Sequence, residues 1–138
     1  MISCALKTIV LLIPSNLRFR KLRKYYLATP SLTFSYSKET FEKNLGAMLE
    51  TYVVNLLNAS HYYREGKKEI DIVLKDGELL PIEVKEHVGE EDLRKFSNLV
   101  KHINAKRGTI VSLNQEMKRP EVEVIPIYLV EKKLCILS

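Results

Sequence analysis

Cysteine is scarce in this chain of 138 residues: Cys4 and Cys135 lie far apart, each in an apolar setting. Two cysteines without paired spacing make no zinc site, and nothing points to a secreted disulfide scaffold. Buried free thiols in a cytoplasmic protein are the expectation. No apolar run reaches the roughly 18 residues that a membrane-spanning helix needs, so no membrane partner is expected. The Gly-x-x-x-x-Gly-Lys-Ser/Thr phosphate loop is missing, which excludes ATP hydrolysis by that route. His61, His87 and His102 have no mutual metal-ligand spacing. No internal repeat or low-complexity tract occurs. Acidic residues are missing altogether from residues 1–38, which carry seven Lys/Arg.

That last absence divides the chain by charge. The net charge of the whole is +5, less than residues 1–38 contribute, so residues 39–138 are net acidic. The basic side chains concentrate at Arg18, Arg20, Lys21, Arg23 and Lys24, with Phe19, Tyr25 and Tyr26 interleaved. One reading is an arm that binds a phosphate backbone, where each neutralised phosphate releases counterions. The other is a solvated strand, or a surface that meets an acidic partner domain. Upstream, the apolar segment Ala5 to Ile13 is read as a strand rather than a signal peptide. It has no basic start before it and no small-residue cleavage site after it.

The rest is one domain, long enough for a real core. Ser37 is a plausible N-cap for a helix over residues 38–58, with Phe41, Leu45, Leu49, Tyr52, Val53 and Leu56 as its buried stripe. Glu50 lies about 100° from Leu49, on the edge of that stripe. It either reaches toward a site or pairs with a nearby lysine. Gly46 sits one turn earlier and would let the helix approach a sheet closely. Residues 61–64 read as a strand, followed by a turn at Glu65-Gly66-Lys67. Arg64 on that strand contacts phosphate, pins a carboxylate, or is simply exposed. A second helix is predicted over 90–105, with Leu93, Phe96, Val100 and Ile103 buried and Gly108 as its stop. Its acids crowd the start and its bases the end, as the helix dipole favours. Strands are predicted over 109–113, 122–130 and, at an edge, 134–137. A crossover through the second helix would set the 109–113 strand parallel to the strand of Glu83.

The chemistry concentrates between Glu69 and Lys85. Two short strands flank an Asp76-Gly77 turn, a strong hairpin signal. Alternation puts Ile70, Ile72 and Leu74 on one face and Glu69, Asp71 and Val73 on the other. Ile82 and Val84 share a face; Glu83 and Lys85 share the opposite one. Asp71 lies opposite Glu83 only if the hairpin is centred on Gly77; a shift to between Asp76 and Gly77 would pair it with Ile82. Facing carboxylates repel unless a cation sits between them, so Asp71, Glu83 and Lys85 suggest a divalent-metal site. An ordinary charged strand face with a Glu69–Lys85 ion pair is the alternative. His87 continues the Glu83 and Lys85 face but is given no catalytic role.

Asp71 followed by Glu83-Val84-Lys85 resembles the PD-(D/E)XK nuclease superfamily. Gly46-Ala47-Met48-Leu49-Glu50, Tyr62-Tyr63-Arg64, Glu69-Ile70-Asp71, Pro81-Ile82-Glu83-Val84-Lys85 and Val124-Ile125-Pro126 occur in a telling order. It is that of the nuclease-like domain at the C-terminus of certain archaeal and bacterial AAA-type ATPases. The similarity runs from about residue 21 to 127. One departure is Ala28-Thr29-Pro30, where the family often has an acid before the proline.

The resemblance implies a restriction-endonuclease-like α/β fold, a mixed central sheet flanked by helices, over 38–138, with residues 1–37 as a basic lead-in arm. It implies Mg²⁺ or Mn²⁺ held by Asp71, Glu83 and the backbone carbonyl of Val84. Lys85 would position the attacking water, and Glu50 would assist. Arg18, Arg20, Lys21, Arg23, Lys24 and Arg64 would contact nucleic acid, DNA foremost. An ATPase module or a second copy of the chain would be a further partner. A non-catalytic docking module of an AAA-type ATPase is the competing expectation.

Overall fold

Strands with apolar residues at both parities need cover on both faces, and that requirement organises the molecule. The computed structural model describes residues 6–11, 23–27 and 43–135, with side chains for 24–26 and 43–135. The elements are β1 (Leu6–Leu11), β2 (Arg23–Leu27), α1 (Leu45–Leu56), β3 (His61–Glu65), β4 (Lys68–Ile70), β5 (Ile72–Asp76) and β6 (Glu78–Val84). There follow α2 (Glu90–His102), β7 (Gly108–Ser112), β8 (Met117–Lys118), β9 (Val122–Pro126), a 3₁₀ turn (Ile127–Leu129) and α3 (Val130–Leu134).

The central sheet runs β5-β6-β7-β9-β8 and is mixed. β5 and β6 are antiparallel, β6 runs parallel to β7, β7 parallel to β9, and β8 antiparallel to β9. The β6–α2–β7 crossover gives the parallel pairing expected from the sequence, with Ile82 beside Thr109 and Val84 beside Val111. A second sheet runs β2-β1-β3-β4. Here the strand read from residues 5–13 pairs antiparallel with β2 and parallel with β3.

One face of the central sheet carries Ile72, Ile82, Val111 and Ile125 against Val53 and Val54 of α1, Val130 and Leu134 of α3, and Tyr26 and Tyr62. The other carries Val73, Ile110, Val122 and Val124 against Leu93, Phe96 and Val100 of α2, with Tyr63 and Ile70. Neighbours along each strand enter opposite clusters, as period-two alternation requires. The architecture is thus an α/β sandwich.

Several expectations need correction. Ile70 and Ile72 do not share a face, because the chain bends at Asp71, separating β4 from β5 and reversing the parity. Tyr52 is 41% exposed and lies off the buried stripe, where Thr51 and Val54 are buried instead. The strand expected to continue to Val130 stops at Pro126, and Leu134 belongs to α3 rather than to an edge strand. The apolar pair Val130 and Leu134, four apart and enclosing Glu131, Lys132 and Lys133, has helical rather than strand spacing. The expected cap Ser37, with Phe41, lies outside the described residues, as do residues 136–138.

Gly108 is not the stop of α2. It opens β7, and a Cβ there would lie 2.5 Å from Val100 Cγ2 and 2.7 Å from Phe96 Cε1. Its bareness lets α2 settle on the sheet. The stop is Asn104 at φ 56°. Asn104 N–H donates to Lys101 O and Ala105 N–H to Val100 O, a left-handed helix cap. Asn58, at φ 48°, ends α1 in the same way through Asn55 O and Val54 O.

Candidate functional site

The hairpin register fixes where the carboxylates fall. Asp76 pairs with Glu78 and Ile72 with Ile82, so the turn is centred on Gly77, at φ 73°. This is the register that directs Asp71 at the end of β6. Asp71 Oδ2 accepts the backbone N–H of Val84 at 2.9 Å. Glu83, beside it, is only 17% exposed, and its Oε2 is buried without a hydrogen-bond partner among the described residues. Lys85 Nζ lies 4.0 Å from Glu83 Oε1 and 3.6 Å from Asp92 Oδ1. Asp92 also accepts the Gly89 N–H at 2.9 Å, fixing the first turn of α2. The loop between Lys85 and α2 is pinned by Gln115, whose amide accepts from Val88 N at 2.6 Å and donates to Val88 O at 3.0 Å.

Glu50 arrives from α1. Its Oε1 accepts the Tyr26 hydroxyl and lies 3.9 Å from Lys24 Nζ. Lys24 also binds Glu69 Oε1 and stands 4.8 Å over the Tyr62 ring. Arg64 is exposed, with Nε 3.9 Å from Glu69 Oε2. Of its three readings, the structure shows a carboxylate neighbour. Gly46, one turn before Glu50, faces Glu86: a Cβ would lie 3.2 Å from Glu86 Oε1, so the bare backbone lets α1 close on the end of β6.

These groups perturb one another. Burial is the main reason the Glu83 carboxyl is pushed up to about 8, and the adjacent Asp71 charge adds to it; Lys85 offsets only part. Asp71 rises to about 6, again through burial first and Glu50 second, against the Val84 N–H and Lys24. Tyr26 is driven well above its ordinary value by burial and by its bond to Glu50. Lys24 is raised: burial alone would lower it, and Glu69, Glu50 and Asp71 together overcome that.

The structure therefore brings Glu50, Asp71, Glu83 and Lys85 into one charged neighbourhood. Lys24, read from sequence as part of a phosphate-binding arm, stands inside it among carboxylates. Glu69 is bound to Lys24, so the alternative Glu69–Lys85 ion pair does not form. Arg18, Arg20 and Lys21 lie outside the described residues, as does the side chain of Arg23. Tyr26 and Asp92 were not singled out for the site. Tyr26 does share the parity of Lys24 on a strand, the one sequence signal that could have linked them. His87 is exposed and takes no described part.

Among the described residues, five carboxylates (Glu50, Glu69, Asp71, Glu83, Asp92) meet three cationic side chains (Lys24, Arg64, Lys85), so the cluster carries excess negative charge once Glu83 is ionised. No group of three or more acid, His or Cys side chains among the described residues has the spacing of a shared metal. Asp71 and Glu83 are the two carboxylates that a hard cation such as Mg²⁺ would need, the rest of its shell being water. No described helix is long and apolar enough to cross a membrane.

No curated protein and no solved structure matches the chain. Residues 45–130, from the start of α1 through the 3₁₀ turn, match the family described as "Domain of unknown function (DUF4143)". That span holds Glu50, Asp71, Glu83 and Lys85 and more than half of the chain. The chain belongs to this family, which is commonly found in C-terminal regions associated with AAA-type ATPases.

Proposed function

We propose that this chain is a metal-dependent nuclease-like domain acting on nucleic-acid phosphodiesters, forming the C-terminal part of an AAA-type ATPase. The observation that carries the reading is the partnerless, buried Oε2 of Glu83 beside Asp71. A buried carboxylate oxygen without a donor costs on the order of 1–3 kcal/mol, and a cation is the partner that would remove that cost. The excess of carboxylates over cationic side chains, felt once Glu83 is ionised, supports the same partner. The PD-(D/E)XK resemblance of Asp71 and Glu83-Val84-Lys85 supports it independently.

Asp71, Glu83 and the Val84 carbonyl would hold Mg²⁺ or Mn²⁺. Such an ion lowers the pKa of bound water and neutralises charge on a phosphoryl oxygen. The protein's own residues do the rest. Lys85, tethered between Glu83 and Asp92, orients the attacking water and offsets negative charge on the phosphate. Glu50, fixed by the Tyr26 hydroxyl, faces the same region and accepts hydrogen bonds from water there. The basic arm of Arg18, Arg20, Lys21 and Arg23 holds the phosphate backbone.

The test is calorimetric titration of Mg²⁺ and Mn²⁺ into wild type and Asp71→Ala, with cleavage assays on branched and linear DNA. Binding lost in the variant, together with metal-dependent cleavage by wild type, is the expected result. Cleavage that survives Asp71→Ala or Lys85→Ala would sink the reading.

One observation favours a second reading, a non-catalytic docking module. Lys85 lies closer to Asp92 than to Glu83, and Glu50 and Glu69 already have partners. That is what a structural ion-pair network looks like. Absence of both metal binding and cleavage in the same titration is its outcome.

A further inference from the structure

Lys24 is the one residue of the basic arm whose ammonium is described, and it is only partly exposed. Its side chain is 25% exposed and packs over Tyr62. It meets Glu69 directly, lies 3.9 Å from Glu50 and feels the charge of Asp71. Lys85 serves Glu83 and Asp92. Two ammonium groups thus divide the carboxylates of this neighbourhood between them. One comes with the hairpin itself; the other is brought from 45 residues away on β2.

We propose that Lys24 is a positioning residue and the site's own counter-cation: it neutralises Glu50 and Glu69, and a divalent cation at Asp71 and Glu83 competes with it for the same negative charge. The inference rests on the metal-binding reading above. Its physical basis is proximity. The Lys24 ammonium lies 3.9 Å from Glu50 and already acts on the charge of Asp71, so a cation entering at Asp71 and Glu83 meets a like charge in a partly buried site and is repelled by it. Binding therefore weakens the hold of Lys24 on Glu50. This makes β2 a part of the site rather than a lead-in to it.

The sign of the effect separates this role from a purely structural one. Loss of a structural ion pair loosens Glu50 and weakens metal binding. Loss of a competing cation strengthens it. Mn²⁺ affinity is measured by calorimetry on the full chain for wild type, Lys24→Met, Lys24→Arg and Lys24→Met/Glu50→Gln. The expected results are binding tighter by on the order of tenfold in Lys24→Met, wild-type affinity in Lys24→Arg, and a return toward wild type in the double variant. Wild-type binding with unchanged or weaker affinity in Lys24→Met overturns the proposal and leaves the metal reading standing. If neither protein binds Mn²⁺, both fall. A second measurement needs no destabilising variant: the Lys24 side-chain NMR signal of wild type, assigned with Lys24→Arg, is followed as Mg²⁺ is added. It moves toward the position of a solvated lysine as the site fills; a signal that stays put at saturation overturns the proposal.

Discussion

Glu83 is held where a carboxylate is least comfortable: mostly buried, beside Asp71, with one oxygen lacking a hydrogen-bond partner among the described residues. Its raised pKa means that the folded protein keeps a proton which the unfolded chain gives up. That contribution to stability is fully present below the unfolded value of 4.5 and is lost as pH rises through about 8. Asp71 acts in the same direction, fading by about pH 6. Metal-free protein should therefore melt at a lower temperature at pH 8 than at pH 5. The exposed carboxylates of Glu65, Glu78, Glu91 and Glu121, whose pKa values are lowered, contribute in the opposite sense and below this window. Glu83→Gln keeps the shape and removes the charge. It should flatten the pH dependence and raise the melting temperature at pH 8 by roughly 5 °C, for a gain of roughly 1–2 kcal/mol. Thermal melts of both proteins from pH 5 to 8 check this. A variant that melts below wild type at pH 8 would mean that Glu83 is ionised at no cost. Excess Mn²⁺ should reverse the pattern, stabilising wild type most at pH 8 and leaving Glu83→Gln nearly unmoved.

At the level of elements, the sequence shows most where the signals are local. The hairpin of β5 and β6 follows from Asp76-Gly77 and its flanking apolar runs, and α2 follows from Leu93, Phe96 and Val100 with acids at its start. The misread positions are those where a residue type has two structural uses. A glycine after a helix reads as a stop, but the stop here is Asn104, which tolerates φ 56°. Gly108 is needed for close packing, a fact that appears only once α2 lies on β7. The two positions then separate in mutation. Gly108→Ala drives a methyl into Phe96 and Val100 and should cost roughly 1–3 kcal/mol. Asn104→Ala keeps all packing but puts an ordinary residue in the left-handed region, costing about 1 kcal/mol, whereas Asn104→Gly should be neutral or slightly stabilising. Urea unfolding of the three variants measures each difference. Equal losses for Asn104→Ala and Asn104→Gly would show that the side chain, not the backbone angle, ends the helix. The bend at Asp71 is harder to foresee. An alternation that runs unbroken from Glu69 through Ile72, across Asp71 itself, gives no warning that the strand will change sheets there.

Across the whole molecule, the part of the site confined to one hairpin was readable, and the part assembled from distant segments was not. Asp71, Glu83 and Lys85 lie within 15 residues, so period two and a turn centre suffice to bring them together. Lys24 and Tyr26 reach Glu69 and Glu50 only because β2 pairs with β1 and β1 with β3, and no local pattern encodes that pairing. The same topology divides the arm's positive charge by role. Lys24 is committed to carboxylates, so the polyanion binding proposed above would fall to Arg18, Arg20, Lys21 and Arg23. Fluorescence anisotropy with a short DNA duplex over a range of salt concentrations tests this division. Each phosphate contact contributes a slope of about −0.9 to log K against log salt. Replacing these four residues by Gln should weaken binding at every salt concentration and flatten the slope by roughly 2–4. Lys24→Gln should leave that slope unchanged, where loss of one phosphate contact would flatten it by about 0.9, because its charge is already matched by Glu69 and Glu50 when DNA arrives. Asp71→Ala should abolish cleavage while binding persists, since the backbone contacts and the chemistry sit on different segments. A slope flattened by about 0.9 in Lys24→Gln would place Lys24 on the DNA, and the division of roles along the arm would be wrong.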